Sequence, residues 1–430
     1  MSWFAREYRV YRSCPDNMRL LLAANMIFAF VMPVIDIFVA AYVMRNTRDV
    51  SMVVGLQLAI YTGIPLTFLL NGYLLERFGS QHLYGVGMLL SGASVAAMMW
   101  LQNVTLAGIL ATGLCLGAAT GLFAANRILL ALSATTDLNR NYYYGFELFF
   151  YTVASVVAPL AVGWLIEDTA RLGWFGGERN SAYRIVAAAV WALSVVSALV
   201  VGRGAFGRMR QSGFLYLRFH PLWRKMLILA LLKGLAQGYI VTAPAMLVLL
   251  LVGQEGTLGT VLAAGGVLSA CILYAVGRTA GARRRMHVFT AGLALFALGA
   301  LVNALLFSAA GVLVFLLCLL LARPLLDLAY FPIQMLVIDT LAEIEGRSAF
   351  GYILNHEFGL YVGRLLGCGL FLALAAFVSN IFALKYALPV IGALQLFSIF
   401  AARGALAEAN SALRETAPAA SRTAAVPSAG

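Results

Sequence analysis

Eight ionisable side chains stand inside long apolar runs of this sequence: Asp36, Arg127, Glu147, Lys233, Arg323, Asp327, Glu357 and Arg364. An ionised group in hydrocarbon costs roughly 2.5–3.5 kcal/mol on insertion scales, so it persists where it lines a watery path, binds a charged ligand, moves a proton or meets an opposite charge. Spacing sorts some of them. Arg323 and Asp327 are four apart and share one helix face, and Glu357 and Arg364 lie seven apart, two turns along one face. Asp36 follows Pro33 by three residues and has no basic residue in its own run. A carboxyl so placed either takes and releases a proton, or pairs with a base from another segment, or is hydrated towards the membrane surface.

Other chemistries are excluded by what the string lacks. There is no Gly-x-x-x-x-Gly-Lys-Ser/Thr phosphate loop, and no Ser/His/Asp or Cys/His arrangement is recognisable. The four histidines (His82, His220, His287, His356) are scattered, and the five cysteines show neither a disulfide framework nor zinc spacing. Neither an enzyme, nor an ATP-driven pump of the P-loop kind, nor a metal or cofactor site is expected.

The elements that must position these charges follow from composition. Apolar residues make up 62% of the 430 and charged residues 11%, with a mean hydropathy of +0.89, against roughly 45–50% and about 25% in soluble domains. So much hydrocarbon has to face lipid. At roughly 20 residues per crossing, the runs give twelve spans: 19-43, 52-75, 83-102, 106-131, 143-166, 184-202, 225-252, 258-277, 286-306, 311-337, 350-377 and 382-402. The first run is long enough to be retained as a span rather than removed as a signal. The longest connection, 203-224, divides the chain into an N-terminal bundle (1-202) and a C-terminal bundle (225-402), and the Ala/Ser/Thr/Pro-rich tail 403-430 is expected to be disordered.

Basic residues set the orientation. With the N-terminus inside, 20 of the 30 Lys and Arg fall on cytoplasmic segments and 6 on the opposite side, which places both termini in the cytoplasm. The net charge of +12 then reflects topology and anionic lipid headgroups, with no nucleic-acid partner. Seven prolines (Pro33, Pro65, Pro159, Pro244, Pro324, Pro332, Pro389) fall inside the spans, where neighbouring helices can re-satisfy the carbonyls they free.

Between spans 2 and 3 the chain reads Gly72-Tyr-Leu74-Leu-Glu76-Arg77-Phe-Gly79-Ser-Gln-His82. This resembles the cytoplasmic loop motif of the major facilitator superfamily, Gly-x-Leu-Ala-Asp-Arg-x-Gly-Arg-Arg/Lys. Gly72, Leu74, Arg77 and Gly79 match; Glu76 stands for the usual Asp, and Ser80 and Gln81 replace the basic pair. In the family the acid latches the two halves on the cytoplasmic side. The same place in the second half, Gly277-Arg278-Thr-Ala-Gly281-Ala-Arg283-Arg284-Arg285, keeps the glycine and arginines without an acid. A further echo pairs Asp137, Arg140 and Glu147 with Asp339, Arg347 and Glu357, as a parallel internal repeat would. Span 5 carries Ala154-Ser-Val-Val-Ala158-Pro159-Leu-Ala-Val-Gly163, similar to the family antiporters' Gly-x-x-x-Gly-Pro-x-x-Gly-Gly signature with alanine at two glycine positions. Span 4 holds the packing strip Gly113-x-x-x-Gly117-x-x-x-Gly121.

The resemblance implies an all-α membrane protein with an MFS-like fold, about twelve transmembrane helices in two pseudo-symmetric six-helix bundles, whose spans 1, 4, 7 and 10 line a central cavity. It implies that Arg127, Lys233, Arg323 and Asp327 face the substrate, and that Asp36 couples protons. Gly72, Glu76, Arg77, Gly79, Glu147, Glu357 and Arg364 then serve gating and charge networks, and Ala158, Pro159 and Gly163 bend helix 5. The function expected is secondary active transport of a small anionic or zwitterionic solute across a bacterial-type inner membrane, by alternating access, with protons as the coupling ion. The span 5 signature leans towards export. The protein is expected to be a monomer partnered by its solute, protons and lipids. The alternative is a relative of the same fold that moves lipid or signals without gradient-coupled transport.

Overall fold

The computed structural model of the chain describes residues 9, 11–101, 104–135, 137–174, 178–206, 218–279, 284–347 and 349–416. Each long apolar run becomes a helix. They are α1 in three pieces (Asp16–Phe28, Val34–Phe38 and Val39–Thr47), α2 (Val50–Leu74), α3 (Ser80–Trp100), α4 (Leu106–Ala134), α5 (Asp137–Leu172) and α6 (Arg179–Gly202). Then follow α7 in two pieces (Pro221–Ile240 and Ala243–Leu251), α8 (Glu255–Thr279), α9 (Arg285–Leu306), α10 (Ala309–Glu345), α11 (Ala349–Phe377) and α12 in two pieces (Asn380–Gln395 and Ser398–Thr416). Among the described residues, ten of these are long and apolar enough to cross a bilayer; the other two are the interrupted α1 and α8, whose described apolar stretch is Gly256–Ile272.

Short polar residues start the helices by accepting the free N–H groups of the first turn. Asp49 accepts from Ser51 N at 2.9 Å, Thr105 from Gly108 N at 3.2 Å, and Ser379 from Phe382 N at 3.1 Å. Proline is accommodated in two ways. Pro65, Pro159, Pro324 and Pro332 sit inside continuous helices, and Pro389 inside the first piece of α12. Pro33 and Pro244 instead mark the interruptions of α1 and α7, which are the equivalent helices of the two halves. After Pro33 the chain makes a π-helical turn, Val34–Phe38, with Asp36 at its centre. Such turns widen the helix locally and concentrate at functional sites.

Two six-helix bundles result. In the first, α4 packs on α2 and α3, and α6 on α3; in the second, α10 packs on α8 and α9, and α12 on α9. The Gly113-Gly117-Gly121 strip lies against α2 as expected: a Cβ on Gly121 would stand 2.8 Å from the Ile64 carbonyl oxygen, so only glycine permits this approach. Across the molecule α2 meets α11, α5 meets α8, and the Val39–Thr47 piece of α1 meets the Ala243–Leu251 piece of α7. Exchanging the halves exchanges these contacts, so the two bundles are pseudo-symmetric.

The C-terminal end differs from expectation. Residues 403–416, read from composition as the start of a disordered tail, continue α12, with Ala405 and Ala409 buried and Glu408 paired with Lys225. The stretch is rich in Ala, Leu, Glu and Arg, which favour helix even where polarity suggests a tail. Residues 417–430 lie outside the described residues, as do 207–217 of the central connection; 221–224 of that connection already belong to α7.

Candidate functional site

A central cavity of about 470 Å³ lies between the bundles. It is walled by α1 (Pro33, Asp36), α5 (Tyr151, Thr152, Ser155), α7 (Val241, Pro244), α8 (Leu262, Gly266, Ser269) and α10 (Leu320, Arg323). The π-helical turn of α1 delivers Asp36 to it from the first bundle, and α10 delivers Arg323 from the second. Both side chains are exposed and line the cavity. Among the described residues neither makes a salt bridge or a hydrogen bond. Opposite charges left unpaired inside a membrane protein are costly unless water or a ligand reaches them.

The other intramembrane charges are engaged. Lys233 Nζ donates to Asp327 Oδ1 at 3.1 Å and stands 3.8 Å from the Tyr330 ring centre. Arg127 binds Glu147 through two bonds, Nε to Oε1 at 3.0 Å and Nη2 to Oε2 at 2.7 Å. Glu147 also accepts from Asn25 Nδ2 at 2.7 Å, and Asn25 Oδ1 accepts from Tyr84 at 2.6 Å, so one buried network joins α1, α3, α4 and α5. Arg364 pairs with Glu357 at 3.5 Å and donates twice to Gln237 Oε1, at 3.0 and 2.8 Å. Its guanidinium lies 4.7 Å from the ring centre of Tyr61 on α2, and Tyr61 donates to the Gln237 carbonyl at 2.7 Å. Arg364 therefore ties α11 to α7 within its own bundle and to α2 of the other.

Three differences from the expectation follow. Helices α5 and α8 wall the central cavity where α4 was expected, because α4 is held back against α2 by its glycines. Arg127 does not line that cavity; its charge is satisfied inside the first bundle by Glu147. Lys233 and Asp327 do not line that cavity either; they pair with each other and border a second cavity, inside the second bundle.

The side-chain hydrogen bonds between the bundles, among the described residues, run from mid-membrane to the face opposite the start of α1 and the end of α12. They are Tyr61 to Gln237, Thr62 with Tyr361 at 3.3 Å, Trp164 to Thr260 at 3.0 Å, Ser51 to Asn380 at 3.1 Å, and Asn380 to Asp49 at 3.4 Å. On that same face a Cβ added to Gly259 of α8 would collide with the Pro159 carbonyl oxygen and approach Gly163 Cα to 3.2 Å. Among the described residues, the side-chain hydrogen bonds that join the bundles thus lie towards one face.

No family model matches the chain. It is similar to the uncharacterized protein YqgE of Bacillus subtilis (strain 168), at 23% identity over 379 residues covering 86% of each. In structure it is similar to a POT family transporter, crystallised in complex with a thioalcohol-conjugated peptide, with a TM-score of 0.67 over 92% of this chain and 99% of that one, at 12% identity. The fold is MFS-like. The chain is therefore an all-α, multi-pass membrane protein.

The motif segment 72–82 joins α2 to α3. Gly72 is buried in the last turns of α2, and Gly79 stands at the start of α3. Glu76 and Arg77 are exposed, and among the described residues their side chains have no partner. Gln81, at a position basic in the motif, accepts from Phe206 N at 3.0 Å and fastens the end of α6. In α5, Ala158 and Pro159 are buried, and the helix runs unbroken through them. The second-half copy of the motif lies largely outside the described residues, as do the side chains of Asp137 and Arg140. Composition gave no reason to single out Tyr61, Gln237, Asn25 or Tyr84. Their only sign is a polar atom in an apolar run, which every span has.

Proposed function

We propose that the protein is a secondary active transporter that carries a small anionic or zwitterionic solute across the membrane by alternating access, coupled to protons through Asp36. The observation that carries this reading is the pair Asp36 and Arg323, contributed by different bundles to one cavity and left without partners. A guanidinium offers forked donors to a carboxylate or phosphate. A carboxyl facing it can exchange protons with water as the cavity is opened to one side and then the other. The likeness in fold to a POT family transporter supports the same class.

In this reading the bundles rock about the midplane. The contacts of Tyr61, Trp164 and Gly259 break when the closed face opens, and Glu76 and Arg77 engage as the other face closes. Basic asymmetry makes the closed face periplasmic and both termini cytoplasmic. The resemblance of α5 to the antiporter signature leans towards export. A cysteine at Glu178 should react with an impermeant thiol reagent on intact cells lacking the native cysteines, and one at Ala205 should not; the reverse pattern inverts the orientation.

The test of function is proton movement in proteoliposomes containing a pH-sensitive dye. A panel of small organic acids and amino acids is added under an imposed pH gradient. One or more members should cause a proton flux that protein-free liposomes lack. A panel-wide absence of both proton flux and counterflow would reject the transporter reading.

A further inference from the structure

The second bundle contains a cavity of its own, about 290 Å³, enclosed by α7, α9, α10 and α12. Most of its wall is hydrocarbon, from Leu229 of α7, Phe289, Leu293 and Phe296 of α9, and Leu319 and Leu326 of α10, while the paired Lys233 and Asp327 border it with Gln237 and Tyr330. It exists because α12 is interrupted at 396–397, between Gln395 and Ser398, both of which line it. The equivalent α6 of the first bundle is continuous and lies hard against α3, where a Cβ on Gly92 would stand 2.6 Å from Ser194 Oγ. The buried Ser398 hydroxyl has no hydrogen-bond partner among the described residues. Arg323 and Val241 belong to the walls of both cavities. The guanidinium thus stands at the junction of two chambers, one holding Asp36 and the other walled mainly by hydrocarbon.

We propose that the apolar chamber is a binding site for the hydrocarbon arm of the solute, so that the substrate is an amphipathic organic acid. Its acidic group is held by Arg323, and a compact hydrocarbon arm enters the second bundle. An arm of this kind exchanges water for carbon contacts, which favours binding in proportion to the apolar surface covered. Neither element suffices alone. A small hydrophilic anion leaves the apolar chamber unused, and an uncharged hydrocarbon leaves Arg323 unpaired.

The inference rests on the transporter reading for the solute's position between the bundles, and it is tested by binding alone, so the flux assay judges the other reading separately. Full-length protein in lipid nanodiscs is titrated by equilibrium dialysis with labelled 4-phenylbutyrate, acetate and 4-phenylbutan-1-ol, with empty nanodiscs as the partition control. Phenylbutyrate should bind at least about tenfold tighter than either other probe, a difference of about 1.4 kcal/mol. Leu293→Trp and, more mildly, Leu319→Phe should erase its advantage over acetate while leaving acetate binding unchanged. Arg323→Gln should erase its advantage over the alcohol. Equal affinities for phenylbutyrate and acetate, or no binding of either, would overturn the proposal, as would wild-type preference in both chamber-filling variants. Affinity that keeps rising up to hexadecanoate would also overturn it, since a chain of that length belongs to a bilayer lipid rather than to a compact acid.

Discussion

Arg323 and Asp327 stand one turn apart on α10, yet the carboxylate of Asp327 is taken by Lys233 at 3.1 Å, and Arg323 is left facing the central cavity without an ion pair. The Lys233–Asp327 bond therefore does more than neutralise two charges. It keeps the nearest carboxylate on its own helix from occupying the group assigned to the solute.

Removing Lys233 should let Asp327 turn to Arg323. Lys233→Met is expected to lower solute-driven proton flux by about tenfold or more, and Lys233→Met/Asp327→Leu to recover most of it. The two substitutions act on one contact and are expected to be strongly non-additive. Flux in proteoliposomes of the two variants decides the matter: a double variant as impaired as the single one would show that Lys233 contributes directly.

The Arg127–Glu147 pair is structural in this conformation, with Glu147 2% exposed in its side chain. Breaking a buried pair on one side leaves an uncompensated charge and typically costs about 3–5 kcal/mol. Arg127 is partly exposed, so Glu147→Gln should lie at or below the lower end of that range. A clear fall in thermal midpoint in nanodiscs is expected, with much of it restored by adding Arg127→Met. An unchanged midpoint in Glu147→Gln would remove the pair from any structural role.

Gly259 closes the face opposite the termini because a side chain there meets the Pro159 carbonyl. Gly259→Leu should wedge α5 from α8 and open that face. With a cysteine at Ile37, which lines the central cavity, labelling by an impermeant thiol reagent from outside the cell should rise several-fold. Labelling that stays at the level of the Gly259 parent would mean the face is held elsewhere, with Tyr61 and Arg364 the next contacts to loosen.

The architecture was legible in the sequence because each crossing announces itself as some twenty apolar residues, and because Gly72, Arg77 and Gly79 sit in a recognisable loop. Asp36 stood out in the string as a lone carboxyl beside a proline, and the structure places it on the wall of the central cavity. The partners of the other charges were not legible. Spacing along one helix put Glu357 with Arg364, and Arg323 with Asp327, on shared faces; only the first two meet, because spacing cannot see that α7 brings Lys233 to Asp327. The interruption of α12 was equally hidden. Nothing in Gln395-Leu-Phe-Ser398 resembles a helix breaker, and the apolar chamber exists only once four helices are assembled around it.

Energy coupling through Asp36 is the prediction on which the proposed function turns. The carboxyl stands on a π-helical turn, which any straightening of α1 would rotate, and it faces Arg323 across a space wide enough for a solute. When the bundles rock, its hydration and its distance from that guanidinium both change, so its affinity for a proton must differ between the two conformations. That difference is what links a proton gradient to net movement. Asp36→Asn keeps the size of the side chain and removes titration. It should abolish accumulation or extrusion driven by a pH gradient, while equilibrium exchange of solute persists within a few-fold of wild type. The two assays are run on the same proteoliposomes, so a loss of both would indicate damage to the binding site rather than to coupling. Gradient-driven transport at wild-type rates in Asp36→Asn would rule the residue out as the coupling group, and Asp327, the remaining carboxylate within reach of Arg323, would be the one to replace next.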